Sequence, residues 1–249
     1  VIANAAATVL RLRWNATDRP MLAIGLIEHL GDVMAAEPVS RAARKAHPTA
    51  WIVWMVRPSY APLVQNFAAV DQVLTVSCLS EWMLLARSGL FTTVWDFHLA
   101  GRYCPHCLIP RADGVLGRDN YYLKSNSLLD SACHNAGIAT PNDAPRLPVN
   151  RVAAARIAMC DLPERYVVLH AASGDVAREW QDRHWQTLRE ALRERGDVAL
   201  VEIGLHPRVI TAPAPGQYDL CGQLSILETA EVIRGALVFI GIDSGPAHL

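Results

Sequence analysis

Asp243-Ser-Gly-Pro-Ala-His248 follows at once on Leu237–Ile242, a short apolar run rich in β-branched residues that reads as a buried strand. Aspartate, serine and glycine are residues with which a chain leaves a strand and caps a helix. At such an exit, backbone N–H groups and the positive end of the helix dipole point out of the strand's carboxyl edge and attract anions. Asp243, Ser244 and Gly245 are therefore candidate ligand-binding residues, and His248, five residues after Asp243, is in reach of the same spot. A second exit is His170-Ala-Ala-Ser-Gly-Asp-Val-Ala-Arg178-Glu-Trp180. Here Ser173 offers a hydroxyl, Ser173 and Gly174 offer backbone N–H groups, and Arg178 offers a planar fork that fits a phosphate. The third is Gly31-Asp32, where a glycine permits close approach to the backbone and an aspartate brings a carboxylate. By position alone, Asp32 reads either as a carboxylate presented to a substrate or as a plain helix cap. Trp180 and Trp185 read as packing residues.

Cys104-Pro-His-Cys107 has the spacing of a redox dithiol or half a zinc site, with Cys133 and His134 as conceivable further ligands. Neither a thioredoxin-like strand and helix nor a second ligand pair at a recognisable spacing accompanies it, so no metal is assigned. The six cysteines read as reduced thiols of a cytosolic protein. Other chemistries lack their motifs. There is no Gly-x-Gly-x-x-Gly for a nicotinamide or flavin and no Gly-Lys-Ser/Thr loop for a P-loop nucleotidase. No Asp-x-Asp is present to hold a divalent ion on a diphosphate, so phosphate charge falls to Arg178, hydroxyls and helix N-termini. With 23 basic and 24 acidic residues, bulk charge does not support a nucleic-acid partner. No apolar run approaches the ~18 residues of a membrane span.

Strand and helix signals alternate through most of the chain. Met21–Ile27, Trp51–Val56, Gln72–Val76 and Thr92–Phe97 read as strands, with helices expected over Val33–Lys45, from Arg57–Pro62 onward and over Leu79–Arg87. After a less regular stretch, Leu128–Ala136 reads as a helix. Thr140-Pro-Asn-Asp-Ala-Pro-Arg-Leu-Pro148 then has the composition of a linker. A second series follows: helices over Val152–Met159, Arg183–Arg195 and Ile226–Arg234, strands over Tyr166–His170, Val198–Ile203 and Leu237–Ile242. This alternation implies parallel sheets covered by helices. The expected organisation is a leader (1–20) of unknown structure, an N-terminal Rossmann-like domain (21–140), a linker (141–150) and a C-terminal Rossmann-like domain (151–249). The last is expected to be incomplete, because the chain stops inside the helix that the Asp243 turn should start.

Taken together, these stretches resemble the ADP-heptose:lipopolysaccharide heptosyltransferases, glycosyltransferase family 9. Leu30-Gly-Asp-Val-Met-Ala-Ala-Glu-Pro38 and His47-Pro-Thr-Ala-Trp-Ile-Val-Trp-Met-Val-Arg-Pro58 resemble the family's Gly-Asp turn, proline-bearing helix and second strand. His170 to Trp185 resembles its phosphate-binding stretch, which has a basic residue two before a tryptophan. Asp219-Leu-Cys-Gly-Gln-Leu-Ser225 and Gly241-Ile-Asp-Ser-Gly-Pro-Ala-His-Leu249 resemble its Asp-Thr-Gly-x-x-His signature. The likeness covers about residues 21–249 in order.

The resemblance implies a GT-B fold of two Rossmann-like, doubly wound domains, and metal-independent, cofactor-free transfer with inversion at the sugar's anomeric carbon. It implies heptose as the sugar, ADP-heptose as donor and a lipopolysaccharide core acceptor. The setting would be the bacterial cytoplasm, with peripheral contact at the inner face of the inner membrane. Asp32 would be the general base. Arg178 would stabilise the leaving diphosphate, with Gly31 on the acceptor side and Ser173 and Gly174 beside the phosphates. Asp243, Ser244, Gly245 and His248 would bind the nucleotide's phosphates and sugar. Arg178 stands where the family usually has lysine, and Ser244 where it has threonine. Gly204-Leu-His-Pro-Arg208 replaces a run that often carries a ribose-binding glutamate, so nothing is carried over there. The alternatives are another nucleotide sugar or acceptor, or a non-catalytic nucleotide-sugar-binding relative. With its second domain incomplete, the chain as written is expected to be inactive or weakly folded.

Overall fold

The computed structural model describes residues 19–27, 29–98, 106–108, 127–212 and 214–249, together with 7, 8 and 11. Most of the expected leader, and Cys104 of the Cys104–Cys107 pair, lie outside the described residues. The chain divides into two compact units, Val1–Pro148 and Val149–Leu249.

In the first unit, strands β1 (Met21–Gly25), β2 (Trp51–Val56), β3 (Gln72–Thr75) and β4 (Thr93–Asp96) form a parallel sheet in the order β3-β2-β1-β4. All of β1 and nearly all of β2 are buried, which is why they read as unbroken apolar runs: a parallel sheet is covered on both faces. Helices α1 (Leu30–Ala35), α2 (Glu37–Ala46), α3 (Ala61–Val64), α4 (Leu79–Ala86) and α5 (Leu128–Ala136) complete the described elements. One core gathers Ala23, Val53, Met55 and Leu74 from the strands with Leu79, Trp82 and Leu85 from α4.

Trp82 lies directly over Gly25. A Cβ placed on Gly25 would sit 2.2 Å from Trp82 Cζ2. Only glycine fits there without moving a fully buried indole. Gly25→Ala is therefore expected to cost about 3 kcal/mol by overpacking, read as a lower urea midpoint with an unchanged slope.

One expectation is corrected here. The single helix over Val33–Lys45 is two helices broken at Ala36, where ψ is −1°. Pro38 is the cause. It has no N–H to offer the carbonyl four residues back and its ring would clash there, so it sits in the first turn of a new helix. Likewise, the chain after Arg57 makes a 3-10 turn over Pro58–Tyr60 before the short α3.

The segment after α5 is bonded to α2. Arg41 pairs with Glu37 and Asp143 at 3.0 Å each, and buried Glu37 accepts the Arg146 N–H at 2.9 Å. On the other side of the division, Asn150 donates its N–H to Glu231 at 3.0 Å and caps the next helix through Ala153 N–H.

The second unit repeats the plan. Strands β5 (Tyr166–His170), β6 (Ala199–Glu202), β7 (Gln217–Asp219) and β8 (Val238–Gly241) form a parallel sheet in the order β7-β6-β5-β8. Helices α6 (Arg151–Ala158), α7 (Asp182–Arg195) and α8 (Ile226–Gly235) accompany them. Helix α8 starts at a full capping box, Ser225 with Glu228. The C-cap glycine of α7, Gly196, has φ +70°. Strand β7 has no forerunner in the sequence reading. Gln217-Tyr-Asp219 is three residues at a sheet edge with no apolar run to mark it. Both sheets share the strand order of a mononucleotide-binding half of a doubly wound fold.

Candidate active site

In the first unit, Asp32 occupies the first turn of α1 and is half-buried. Its Oδ2 accepts the His29 N–H at 3.5 Å, so the capping geometry exists but is long. Gly31 precedes it in the same turn and is also half-buried. The carboxylate thus sits at the carboxyl edge of β1, weakly engaged by its own helix.

In the second unit, three loops meet at the carboxyl edge of the sheet. After β5, Ser173 and Gly174 lead into a 3-10 turn, Val176–Arg178, capped by Asp175, whose Oδ1 accepts the Ala177 N–H at 3.0 Å. Arg178 reaches the loop after β8, where its Nη1 lies 3.2 Å from Asp243 Oδ2 and 3.4 Å from the Asp243 carbonyl. Its Nε is 3.5 Å from Asp175. Two residues 65 apart in sequence, each singled out as a strand-exit residue, are thus brought side by side. Both remain largely exposed, so the pair contributes little to stability and leaves the guanidinium open to an incoming anion.

Ser244 does not cap the turn that follows it. Its hydroxyl donates to the Ile242 carbonyl at 3.2 Å and lies 3.0 Å from His170 Nδ1. Gly245 and His248 form a 3-10 turn, Gly245–His248, in which His248 is exposed.

Sequence reasoning missed four residues here. His170, at the end of β5, is buried and supports Ser244. Glu179 accepts the Ser173 N–H at 3.1 Å and pairs with Arg208, which also pairs with Asp182 at 2.6 Å. Glu202, buried at the end of β6, accepts the N–H groups of Arg208, Val209 and Ile210 at 2.6–3.0 Å. That carboxylate moulds the third loop and aims Arg208 at Glu179. The signal for His170 was its place at a strand end. Glu179 and Arg208, 29 residues apart, gave none.

Burial holds the His170 pKa below its ordinary 6.5. As pH falls below that value, the unfolded chain takes up a proton that the folded histidine resists, so stability falls with acidification until the folded pKa is passed. Glu179, held down by the Ser173 N–H and then Arg208, and Glu228, held down by the Ser225 N–H, add stability that is lost as pH drops below about 4.5. The melting temperature is therefore expected to decline as pH falls below about 6.5, with His170→Asn flattening that decline but not the further loss below about 4.5.

Of the possible metal ligands around Cys107, Cys133 is buried, and burial pushes its thiol up to about 11, which disfavours the thiolate. Among the described residues, no three His, Cys, Asp or Glu side chains gather into a metal cluster.

Comparison with known proteins agrees with this architecture. Residues 125–249 match the family model "Glycosyltransferase family 9 (heptosyltransferase)". Among curated proteins none matches. The chain is similar to the family 9 glycosyl transferase of Veillonella parvula, with 15% identity, a TM-score of 0.70 and coverage of 92% of this chain and 77% of that one. It is also similar to the E. coli heptosyltransferase WaaC with ADP-2-deoxy-2-fluoro heptose, at 16% identity and TM-score 0.61, covering 92% and 84%. The E. coli ADP-heptose lps heptosyltransferase II aligns at 15% identity and TM-score 0.60, covering 91% and 80%. Two parallel sheets of like strand order, aligned over nine-tenths of the chain, give the α/β GT-B fold of Rossmann-like domains. The family match spans half the chain and includes both the Arg178 loop and the Asp243 turn: the chain belongs to glycosyltransferase family 9 and is a glycosyltransferase.

Proposed function

We propose that this protein transfers heptose from ADP-heptose to a lipopolysaccharide core acceptor, with inversion and without a metal ion or other cofactor. The observation that carries the proposal is the Arg178–Asp243 pair, which joins two strand-exit loops into one exposed, cation-centred site at the sheet's carboxyl edge. Similar solved structures carry an ADP-sugar analogue, or ADP-heptose in their name, which supports the donor.

In this reading the acceptor hydroxyl gives its proton to the Asp32 carboxylate as its oxygen attacks the anomeric carbon. The bond from that carbon to the diphosphate breaks, and the electron pair leaves with ADP. Arg178 meets the charge that develops on the leaving diphosphate, with the Ser173 and Gly174 backbone beside it. Gly31 gives the acceptor room at the α1 turn. Asp243, as a carboxylate, suits donor hydroxyls, whereas the Gly245 backbone and His248 suit phosphate and sugar oxygens. Ser244, oriented by His170, completes that group.

A lipid-anchored acceptor puts the reaction in the bacterial cytoplasm, at the inner face of the inner membrane. Among the described residues, no helix is long and apolar enough to cross a membrane. Contact with the membrane would then be peripheral.

Calorimetric titration with ADP-heptose, UDP-glucose and GDP-mannose tests the donor. Saturable binding of ADP-heptose, weakened at least about tenfold for the others, is expected. Preference for a uridine or guanosine donor would keep the fold and overturn the heptose.

A further inference from the structure

Beyond the residues assigned above, the first unit contains a buried acid–imidazole pair at the carboxyl edge of its sheet. Asp96 ends β4, and His98 lies two residues on; both are at least nine-tenths buried. Asp96 Oδ1 lies 2.6 Å from His98 Nδ1 and accepts the His98 backbone N–H at 3.1 Å. On the far side of the ring, His98 Nε2 lies 3.2 Å from the Ile27 backbone nitrogen. An amide N–H can only donate, so Nε2 is the bare nitrogen and the ring proton sits on Nδ1, facing Asp96. The tautomer is set by these two partners.

Ile27 is where the chain leaves β1 on its way to Gly31 and Asp32. Its N–H is held by His98 from the β4 side, and its carbonyl accepts the Arg57 N–H at 3.3 Å from the β2 side. The preceding Leu26 N–H is bonded to the Met55 carbonyl at 3.3 Å. The exit of β1 is therefore stapled on both flanks just before α1 begins. Any buried N–H needs a partner, but a carbonyl or a water would serve. An imidazole oriented by a buried carboxylate is a costly choice for that purpose alone, and Asp96 Oδ2 is left without a partner among the described residues. What this arrangement supplies is a fixed direction for the chain entering α1.

We infer that His98, held by Asp96, is a positioning residue that sets where the α1 turn presents the Asp32 carboxylate. The inference rests on the reading of Asp32 as the general base. A displacement of about 1 Å at a reacting group costs about 100-fold in rate, and that is the scale expected.

The test is acceptor-dependent ADP release from ADP-heptose with a truncated lipopolysaccharide, for the full chain and for His98→Ala, His98→Gln, Asp32→Asn and the His98→Ala/Asp32→Asn double variant. Thermal melts and ADP titrations accompany each. His98→Ala is expected to lower kcat about 100-fold with ADP affinity unchanged, because the proposed ADP ligands belong to the other unit. His98→Gln, whose amide accepts from Ile27 and donates to Asp96, should restore most of the rate. The double variant should be no slower than Asp32→Asn, since the histidine acts through the aspartate. Hydrogen exchange at the Ile27 amide should accelerate in His98→Ala and recover in His98→Gln.

A folded His98→Ala with unchanged kcat, beside an inactive Asp32→Asn, overturns the positioning role and leaves the base in place. Losses that simply multiply in the double variant also overturn it. An Asp32→Asn enzyme of full activity removes the base itself, and the inference falls with it. If His98→Ala does not fold, Asp96→Ala carries the test, because it removes the only acceptor that the His98 Nδ1–H has among the described residues and frees the ring to turn. Reduced kcat at constant ADP affinity supports the inference, and unchanged kcat overturns it.

Discussion

Asp32→Asn is expected to slow acceptor-dependent ADP release by about 100- to 10,000-fold while ADP affinity and the melting temperature stay near wild type. The size follows from the role: an uncharged amide cannot take the proton of the attacking hydroxyl. The silence in stability follows from the structure. The only hydrogen bond that the Asp32 side chain makes among the described residues is the long 3.5 Å contact to His29 N–H, and asparagine keeps an oxygen for it. A capping role alone would leave kcat intact in Asp32→Asn and would appear instead as a modest stability loss of about 1 kcal/mol in Asp32→Ala. Steady-state kinetics and a melt on one preparation separate the two.

The second large effect belongs to Arg178. Arg178→Ala is expected to reduce kcat by about 100- to 1,000-fold, the scale for removing one preorganised donor from a developing oxyanion. Its partners Asp243 and Asp175 are both largely exposed, so leaving them unpaired costs little and the fold should survive intact. Arg178→Lys keeps the charge but loses the planar fork that suits a diphosphate, and should recover only part of the rate. Equal activity in the lysine variant would mean that charge alone suffices. Wild-type activity in Arg178→Ala would remove this residue from the site.

The fold was legible in the sequence to the extent that burial was two-sided. The residues of strands β1, β2 and β5 are buried almost throughout, on both faces, so their apolar runs stood out, and Trp51–Val56 and Tyr166–His170 begin and end where expected. Strand β7 is a short edge strand that passes from buried Gln217 through half-buried Tyr218 to exposed Asp219, and three such residues carry no periodicity. The break at Ala36 was legible in principle, since Pro38 forbids a continuous helix there, and the sequence reading allowed the proline too deep a place.

At the candidate site, legibility followed the same logic. Residues that follow an apolar run are announced by the run, which is why Arg178 and Asp243 could be singled out separately before the fold placed them together. The run before Asp243 reads as a buried strand, but β8 stands at the sheet edge and is half-buried to exposed. Glu202, which shapes the third loop, reads in sequence as one more residue of an apolar strand. Its role depends on three backbone N–H groups that only the folded loop turns toward it. The Glu179–Arg208 pair and the Asp96–His98–Ile27 chain are tertiary in the same sense. No local pattern encodes a contact across 71 residues between a ring nitrogen and a backbone amide.

The most direct test of the function is a single incubation of the full chain with ADP-heptose and truncated lipopolysaccharide, followed by mass spectrometry of the acceptor and anomeric NMR of the product. The account predicts one added heptose per acceptor, stoichiometric with ADP released, joined with the anomeric configuration opposite to that of the donor. ADP-heptose bound without any mass gain on the acceptor, or a product of retained configuration, would contradict it.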